Sequence, residues 1–406
     1  MDLQLFSEFG TLEAVLTHRP GHEIERLTPY NTSKLLFEDV PYLEVMQQEH
    51  DEFTQLIRTS TGAQVLRLHE LLMEVLVDPV IRKRVFSAVF NPSGLTLRVN
   101  EILERFSTSE ATTMLIAGIK VKELKKKFTC PELDKLNDYE YIIPPSPNLY
   151  FMRDPAAVVQ TGVINSNMKY SGRQHESDVL RLIFENHPLF KNSYVRVFPP
   201  KNHSDTLPKI EGGDVIVLSK KALAIGCSER TEEQAVEAVA REVLKEGDVE
   251  RIYRVDLPTK RNFMHLDTVF TIIDENLVVT YPDAMDAILQ TCVYRKDNTT
   301  EDGEVRLHIE CINESILSVL KHEIPHLEVI QTGAGNPDYS LREQWYDGAN
   351  VFAISPRRVI SYNRNKFTNR ALRHAGVEVL EINSSELSRG LGGPRCMTMP
   401  LKRKLF

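Results

Sequence analysis

A short apolar strand, a turn and a second strand recur five times along this 406-residue chain, and that recurrence constrains the fold more than any single motif does. The copies read "GTLEAVLTHRP" from Gly10, "MRDPAAVVQTGVINS" from Met152, "GGDVIVLSKKALAIG" from Gly212, "HLDTVFTIIDENLVVT" from His265 and "GANVFAISPRRVISY" from Gly348. All but the first read as hairpins. Each is followed by a helix-like stretch and a further strand: "AQVLRLHE", "SYVRVFPP", "ERIYRVDLP", "PHLEVIQTG" and "VEVLEINSS". Thr231 and Thr368 stand at helix N-cap positions, and Thr231 has Gln234 three residues on, the spacing of a capping box.

Strand-strand-helix-strand units bury their apolar faces by packing on their neighbours. A closed ring of five is the simplest arrangement, and an open α/β sheet with look-alike strands is its rival. Residues 71–140 break the pattern, because their apolar residues recur at helical spacing above polar faces. The expected organisation is therefore a repeat body over 1–70 and 141–406, with a helical insertion over 71–140. The lysine run from Lys120 to Lys127 reads as a solvated face.

With 42% apolar and 26% charged residues the chain is an ordinary globular protein. Net charge is -8 and no helix face gathers Lys and Arg, which argues against nucleic acid or an anionic membrane as partner. The first residues lack a basic segment followed by an apolar one, and no apolar run approaches the ~18 residues of a membrane span, so a cytoplasmic location is expected. Five cysteines, at 130, 227, 292, 311 and 396, are odd in number and form no CxxC pair. That pattern disfavours a disulfide framework and a structural zinc site, and reads as reduced thiols.

Cys396 lies in "RGLGGPRCMTMPL", where Gly390, Gly392 and Gly393 suit a loop wrapped on a ligand. Three of the units open on ionisable residues: Asp154 in "FMRDP", Glu211 and Asp214 in "EGGD", His265 and Asp267 in "MHLDT". A metal site would use such ligands, yet HxD supplies one histidine and a thiol selects a softer metal than carboxylates do. A Cys-His-acid peptidase has these parts but needs fewer acids. Surplus carboxylates around a thiol and an imidazole suit a cationic substrate. Guanidinium fits best, since two carboxylates can bind it bidentately and leave its carbon facing a nucleophile.

The ordered set "PNLYFMRDP", "IEGGDVIVLS", "SERT", "FMHLDTVFT", "REQWYDGAN", "YNRN" and "GGPRCMTMP" resembles arginine deiminase, of the guanidine-modifying pentein superfamily, over nearly the whole chain. The resemblance implies a five-fold pseudosymmetric α/β propeller with a helical insertion. It implies hydrolysis of L-arginine to L-citrulline and ammonia without metal or organic cofactor. By position Cys396 is the nucleophile, His265 the general acid/base, and Asp154 and Asp267 the guanidinium clamp. Glu211 matches the acid that orders the histidine. Asn148, Arg173 and Arg230 match the cradle for the α-carboxylate, Phe151 packs on the substrate, and Gly390 completes the substrate-binding set. Arg395, beside the nucleophile, is expected to favour its thiolate, whereas Asp214, Cys227 and Met397 read as structural. Many relatives carry threonine at Met152 and arginine at Leu391, which bears on substrate gating. An amidinotransferase using the same covalent intermediate and a catalytically silent arginine-binding protein are the alternatives. Relatives are commonly homo-oligomers.

Overall fold

A computed structural model of the chain describes residues 1–191, 196–198, 207–245, 248–258, 263–288, 290–299 and 305–405. The fold is mixed α/β. The first unit holds β1 (Leu12–Thr17) and β2 (Gln64–Arg67), joined through the helix Leu43–Thr61. A short pair, β3 (Ile119–Lys120) and β4 (Tyr141–Ile143), flanks the helical stretch that follows. The second unit is β5 (Ala156–Val159), β6 (Gly162–Asn165) and β7 (Arg196–Phe198); the rest of "SYVRVFPP" lies outside the described residues. The third is β8 (Val215–Ser219), β9 (Ala222–Cys227) and β10 (Arg251–Asp256). Next come β11 (Phe270–Asp274) and β12 (Leu277–Thr280), the hairpin of β13 (Thr291–Thr299) and β14 (Val305–Ile312), and β15 (Glu328–Gln331). The fifth unit is β16 (Phe352–Ser355), β17 (Arg358–Tyr362) and β18 (Glu378–Ile382), and β19 (Met399–Arg403) ends the series.

One pairing rule runs through all five units: the first two strands are antiparallel and the third lies parallel to the second, as β5-β6-β7, β8-β9-β10, β11-β12-β15 and β16-β17-β18. An antiparallel pair closes through a tight turn, whereas the parallel third strand needs a crossover, which the helix-like stretches supply. The first copy lacks a hairpin because its antiparallel partner is β19, from the other end of the chain. The sheets are separate, and none closes on itself.

Three expectations need correction. The segment between β12 and β15 is not helix alone: β13 returns to pair with β10, and β14 adds a fifth strand to that sheet. That hairpin sets Cys292 directly opposite Cys311, Cα atoms 4.0 Å apart, and the two form a disulfide; Cys130, Cys227 and Cys396 are free. Residues far apart in sequence become neighbours through strand register, which spacing alone does not reveal. The two threonines are also not helix caps. Thr231 Oγ1 donates to Asp214 Oδ2 at 2.6 Å, and Thr368 Oγ1 donates to Glu343 Oε2 at 2.6 Å, both buried tertiary contacts.

Buried apolar side chains form three clusters, and the third, around Met46, Phe53, Phe352 and Tyr362, includes Tyr150, Phe151 and Cys396. No helix among the described residues is long and apolar enough to cross a membrane.

Candidate active site

The polar residues of interest sit just ahead of the first strand in each unit: Asp154 before β5, Glu211 and Asp214 before β8, His265 and Asp267 before β11. Separate strand entries bring them together. His265 is buried and donates Nε2–H to Glu211 Oε2 at 2.8 Å, while its Nδ1 lies 3.6 Å from Asp154 Oδ1. Burial opposes a charge on the imidazole, but Asp154 and Glu211 outweigh it and raise its pKa to about 9. Glu211 is likewise opposed by burial, yet His265 and Arg230 lower it to about 2. A cation and its acid thus stand paired in the site.

Cys396 is 4% exposed, and its thiol donates to Asp267 Oδ2 over 3.6 Å. Burial, then Asp267, Asp154 and Asp347, push the thiol pKa well above its ordinary value. The expectation that Arg395 supports the thiolate is therefore corrected. Arg395 instead spends its charge on Asp267 Oδ2 at 2.6 Å and Glu8 Oε1 at 2.9 Å.

Asp154 and Asp267 share one feature. Each has Oδ2 locked on a buried arginine, Arg173 at 2.7 Å and Arg395 at 2.6 Å, while Oδ1 is buried without a hydrogen-bond partner. A buried carboxylate oxygen left bare costs free energy, so two of them facing one site are placed for something that supplies donors.

Arg173 stands on the helix Ser171–Asn186, whose buried face also carries Glu176, Leu180 and Ile183; the first turn serves the site and the later turns the core. It is held by Glu176 at 2.8 Å as well as by Asp154. Arg230 is 3.4 Å from Glu211 and stacks its guanidinium over Tyr170. Asn148 Nδ2 donates to the Leu35 carbonyl, which ties the 28–37 loop to the site. Phe151 lies under the glycine-rich loop: a Cβ added at Gly390 would fall 2.3 Å from Tyr150 Oη, and at Gly392 2.2 Å from the Phe151 ring. Leu391 between them is half-buried with φ +58°, the left-handed region that branched residues rarely occupy. Met152 is fully buried beside Phe151 and Arg153. Asp214 accepts from Ser228, Thr231 and the Leu266 N–H, so it holds the His265 turn rather than facing the reaction.

Three residues passed over in the sequence belong to this assembly. Asn350 Oδ1 accepts from the Cys396 N–H and its Nδ2 donates to the Asp267 carbonyl, both at 3.0 Å, so one side chain sets the thiol against an acid. Asp347, buried with φ +54°, adds another carboxyl, whose pKa burial and then Asp267 and Asp154 raise well above the carboxylate range. Glu8 lies behind them among three arginines. The signal was available: Asn350 precedes β16 as Asp154 precedes β5, and Glu8 precedes β1.

Asp154, Glu211 and His265 are the one group among the described residues whose ligand atoms lie close enough, within 4.8 Å, to share a metal ion. Both carboxylates are already paired with Arg173 and Arg230 and with the imidazole, and adjacent cations oppose a metal there.

The family model described as arginine deiminase matches residues 33–403. Curated arginine deiminases from Staphylococcus haemolyticus and Listeria welshimeri are each 38% identical, the alignments covering 99% of this chain and 98% of theirs. Among solved structures, the amidinotransferase SxtG from Microseira wollei gives a TM-score of 0.56 at 14% identity, covering 100% of this chain and 98% of that one. A dimethylarginine dimethylaminohydrolase gives 0.52 at 14% identity, covering 96% and 99%. These two likenesses speak to the pentein-class fold alone. The match along nearly the whole length settles membership: the chain belongs to the arginine deiminase family.

Proposed function

We propose that this protein hydrolyses L-arginine to L-citrulline and ammonia through a covalent intermediate on Cys396. The observation that carries this reading is a pair of buried oxygens without a hydrogen-bond partner, Asp154 Oδ1 and Asp267 Oδ1, on the two acids whose charges act on the Cys396 thiol. A guanidinium held between them satisfies both and presents its carbon to sulfur. Burial, the largest cause of the raised thiol pKa, remains, but the bound cation offsets the contribution of the acids that hold the proton on Cys396.

The thiol gives its proton to solvent water as the cation is bound, the one proton that the overall reaction releases and that ammonia then takes up as ammonium. The thiolate adds to the guanidinium carbon, and His265, already an imidazolium, gives its proton to the departing nitrogen as ammonia. An S-alkylthiouronium remains. The imidazole, now neutral, takes a proton from water as its oxygen bonds to the same carbon; the carbon–sulfur bond then breaks as the new hydroxyl gives its proton to the leaving sulfur, releasing citrulline and restoring the thiol and the imidazolium. Glu211 orients His265 throughout, Arg173 and Arg230 with Asn148 receive the α-carboxylate, and Phe151 and Gly390 close around the alkyl chain.

The five units are arranged about this centre as a pseudo-five-fold propeller, with 71–140 as the inserted helical segment. In support, neighbours meet in sequence: β19 against β5, β5 against residues 212–214, β8 against 266–268, β11 against β16, and the helix Leu43–Thr61 against β18 and β1.

Purified protein given L-arginine is expected to release citrulline and ammonia in equal amounts, with no product from Cys396→Ala. Product from that variant, or none from the parent, rejects the assignment.

A further inference from the structure

Away from the site, the parallel neighbours β1 and β2 end in register, Thr17 opposite Arg67, and the residues that follow line a cavity of about 260 Å³. Its walls include His18, Arg19, Arg67, His69 and Glu70 from this end and Ile116 from the helix Thr108–Ala117. The cleft beyond the carboxyl ends of parallel strands is a recurrent ligand position in α/β proteins.

Hydrogen-bond donors here are in surplus. The helix Leu68–Leu76 starts at Arg67 with no side-chain cap, so no side chain takes up its first-turn N–H groups where Arg67, His69 and Glu70 line the cavity. Arg67 has a single ion-pair partner, Asp51, at 3.9 Å, and His69 has no hydrogen-bond partner among the described residues. His18 is 3% exposed: its Nε2 lies 2.9 Å from Glu23 Oε1, and its Nδ1, buried without a partner, is a donor in the protonated, ion-paired ring. The acids nearby are spoken for. Asp51 is held bidentately by Arg19, Glu23 accepts from His18 and the Gly21 N–H, and Glu25 pairs with His22. Glu70 alone is uncommitted, and it is exposed. Nearby, His50 has neither ring nitrogen partnered; burial first, then His18, with Asp51 opposing and Arg67 and Arg19 adding, pushes its pKa down to about 3.

We infer that this cavity binds a small oxyanion, a carboxylate or a phosphate, through Arg67, His69, His18 and the first-turn N–H groups of the helix Leu68–Leu76. The bound anion touches the region that shapes the active site: Ile116, in the cavity wall, accepts from the Ser146 N–H at 2.9 Å, two residues before Asn148.

Calorimetric titration of the full chain with inorganic phosphate and, separately, acetate, at ionic strength fixed with chloride, tests this. At least one anion is expected to bind saturably, and the tighter one names the ligand class. Arg67→Gln and His69→Gln should each weaken binding about tenfold or more, equivalent to ~1.4 kcal/mol, while citrulline release from arginine persists. Arg230→Gln, which alters the substrate cradle, should leave the anion affinity unchanged. No saturable binding by either anion, or binding that Arg230→Gln abolishes and Arg67→Gln does not, overturns the inference.

Discussion

Asp154 and Cys396 face one buried charge cluster, while their chain neighbours Arg153 and Arg395 build another on the opposite side. The first is rich in acid: Asp154, Glu211, Asp267 and Asp347 surround His265 and the thiol. The second is rich in base: Arg153, Arg395 and Arg403, each 1% exposed, surround Glu8. The basic cluster is mostly paired within the fold, although Arg153 Nη2, Arg395 Nε and Arg403 Nε have no hydrogen-bond partner among the described residues. Arg153 reaches Glu8 and the Thr398 carbonyl, Arg395 reaches Glu8, Asp267 and the Val215 carbonyl, and Arg403 reaches the carbonyls of Gly10 and Ala353. It staples several units together. The acidic cluster keeps two oxygens bare and awaits a cation. Both residue pairs lie in turns, 152–154 and 394–397, and there adjacent side chains serve the two clusters.

This contrast breaks if substitutions on the two sides have the same effect. The largest expected change is at the acids: Asp267→Asn and Asp154→Asn should each lower kcat/KM by about 10³, or ~4 kcal/mol of barrier, while most of the protein stays folded. Equal loss of fold and rate in thermal melts and steady-state assays would erase the distinction. On the other side, Glu8→Gln leaves buried guanidinium groups without their counter-charge and should cost about 3–5 kcal/mol of stability by denaturant titration. The folded fraction is expected to keep its kcat.

Acid and base should also separate the clusters. Glu8 is opposed by burial but lowered from 4.5 to about 2 by its arginines, so its stabilisation is complete above pH 4.5 and is lost as pH falls toward 2. His265 is raised from 6.5 to about 9, so its imidazolium and the stability it brings are present below 6.5 and lost as pH rises through 9. Unfolding followed against pH should report the first, and the alkaline limb of kcat/KM the second.

A smaller effect is expected at Asn350. Asn350→Ala frees the Cys396 N–H and the Asp267 carbonyl, and should reduce kcat about 10–100-fold with KM little changed. Slower alkylation of Cys396 at saturating substrate analogue would accompany it; an unchanged kcat would return Asn350 to a purely structural role.

Much of this was legible before any coordinates. The five strand-turn-strand copies, four of them hairpins, were visible because strand alternation and turn chemistry are local, and the motif acids because they stand ahead of the first strand of their units. Thr231 was misread because the same hydroxyl that can cap a helix can reach Asp214, and nothing local decides between them. Asn350 escaped notice for lack of charge, although its place in the fifth unit repeats that of Asp154 in the second.

By itself, then, the sequence determined the repeat, the kinds of side chain at each strand entry and the family. Only the tertiary structure decided which oxygens of Asp154 and Asp267 stay bare, that Arg395 serves Glu8 and Asp267 instead of the thiol, and that Cys292 meets Cys311. The reason is distance along the chain. The Arg395–Glu8 contact joins residues 387 positions apart, and the β19–β1 pairing joins the two ends, so their outcome depends on how all five units pack.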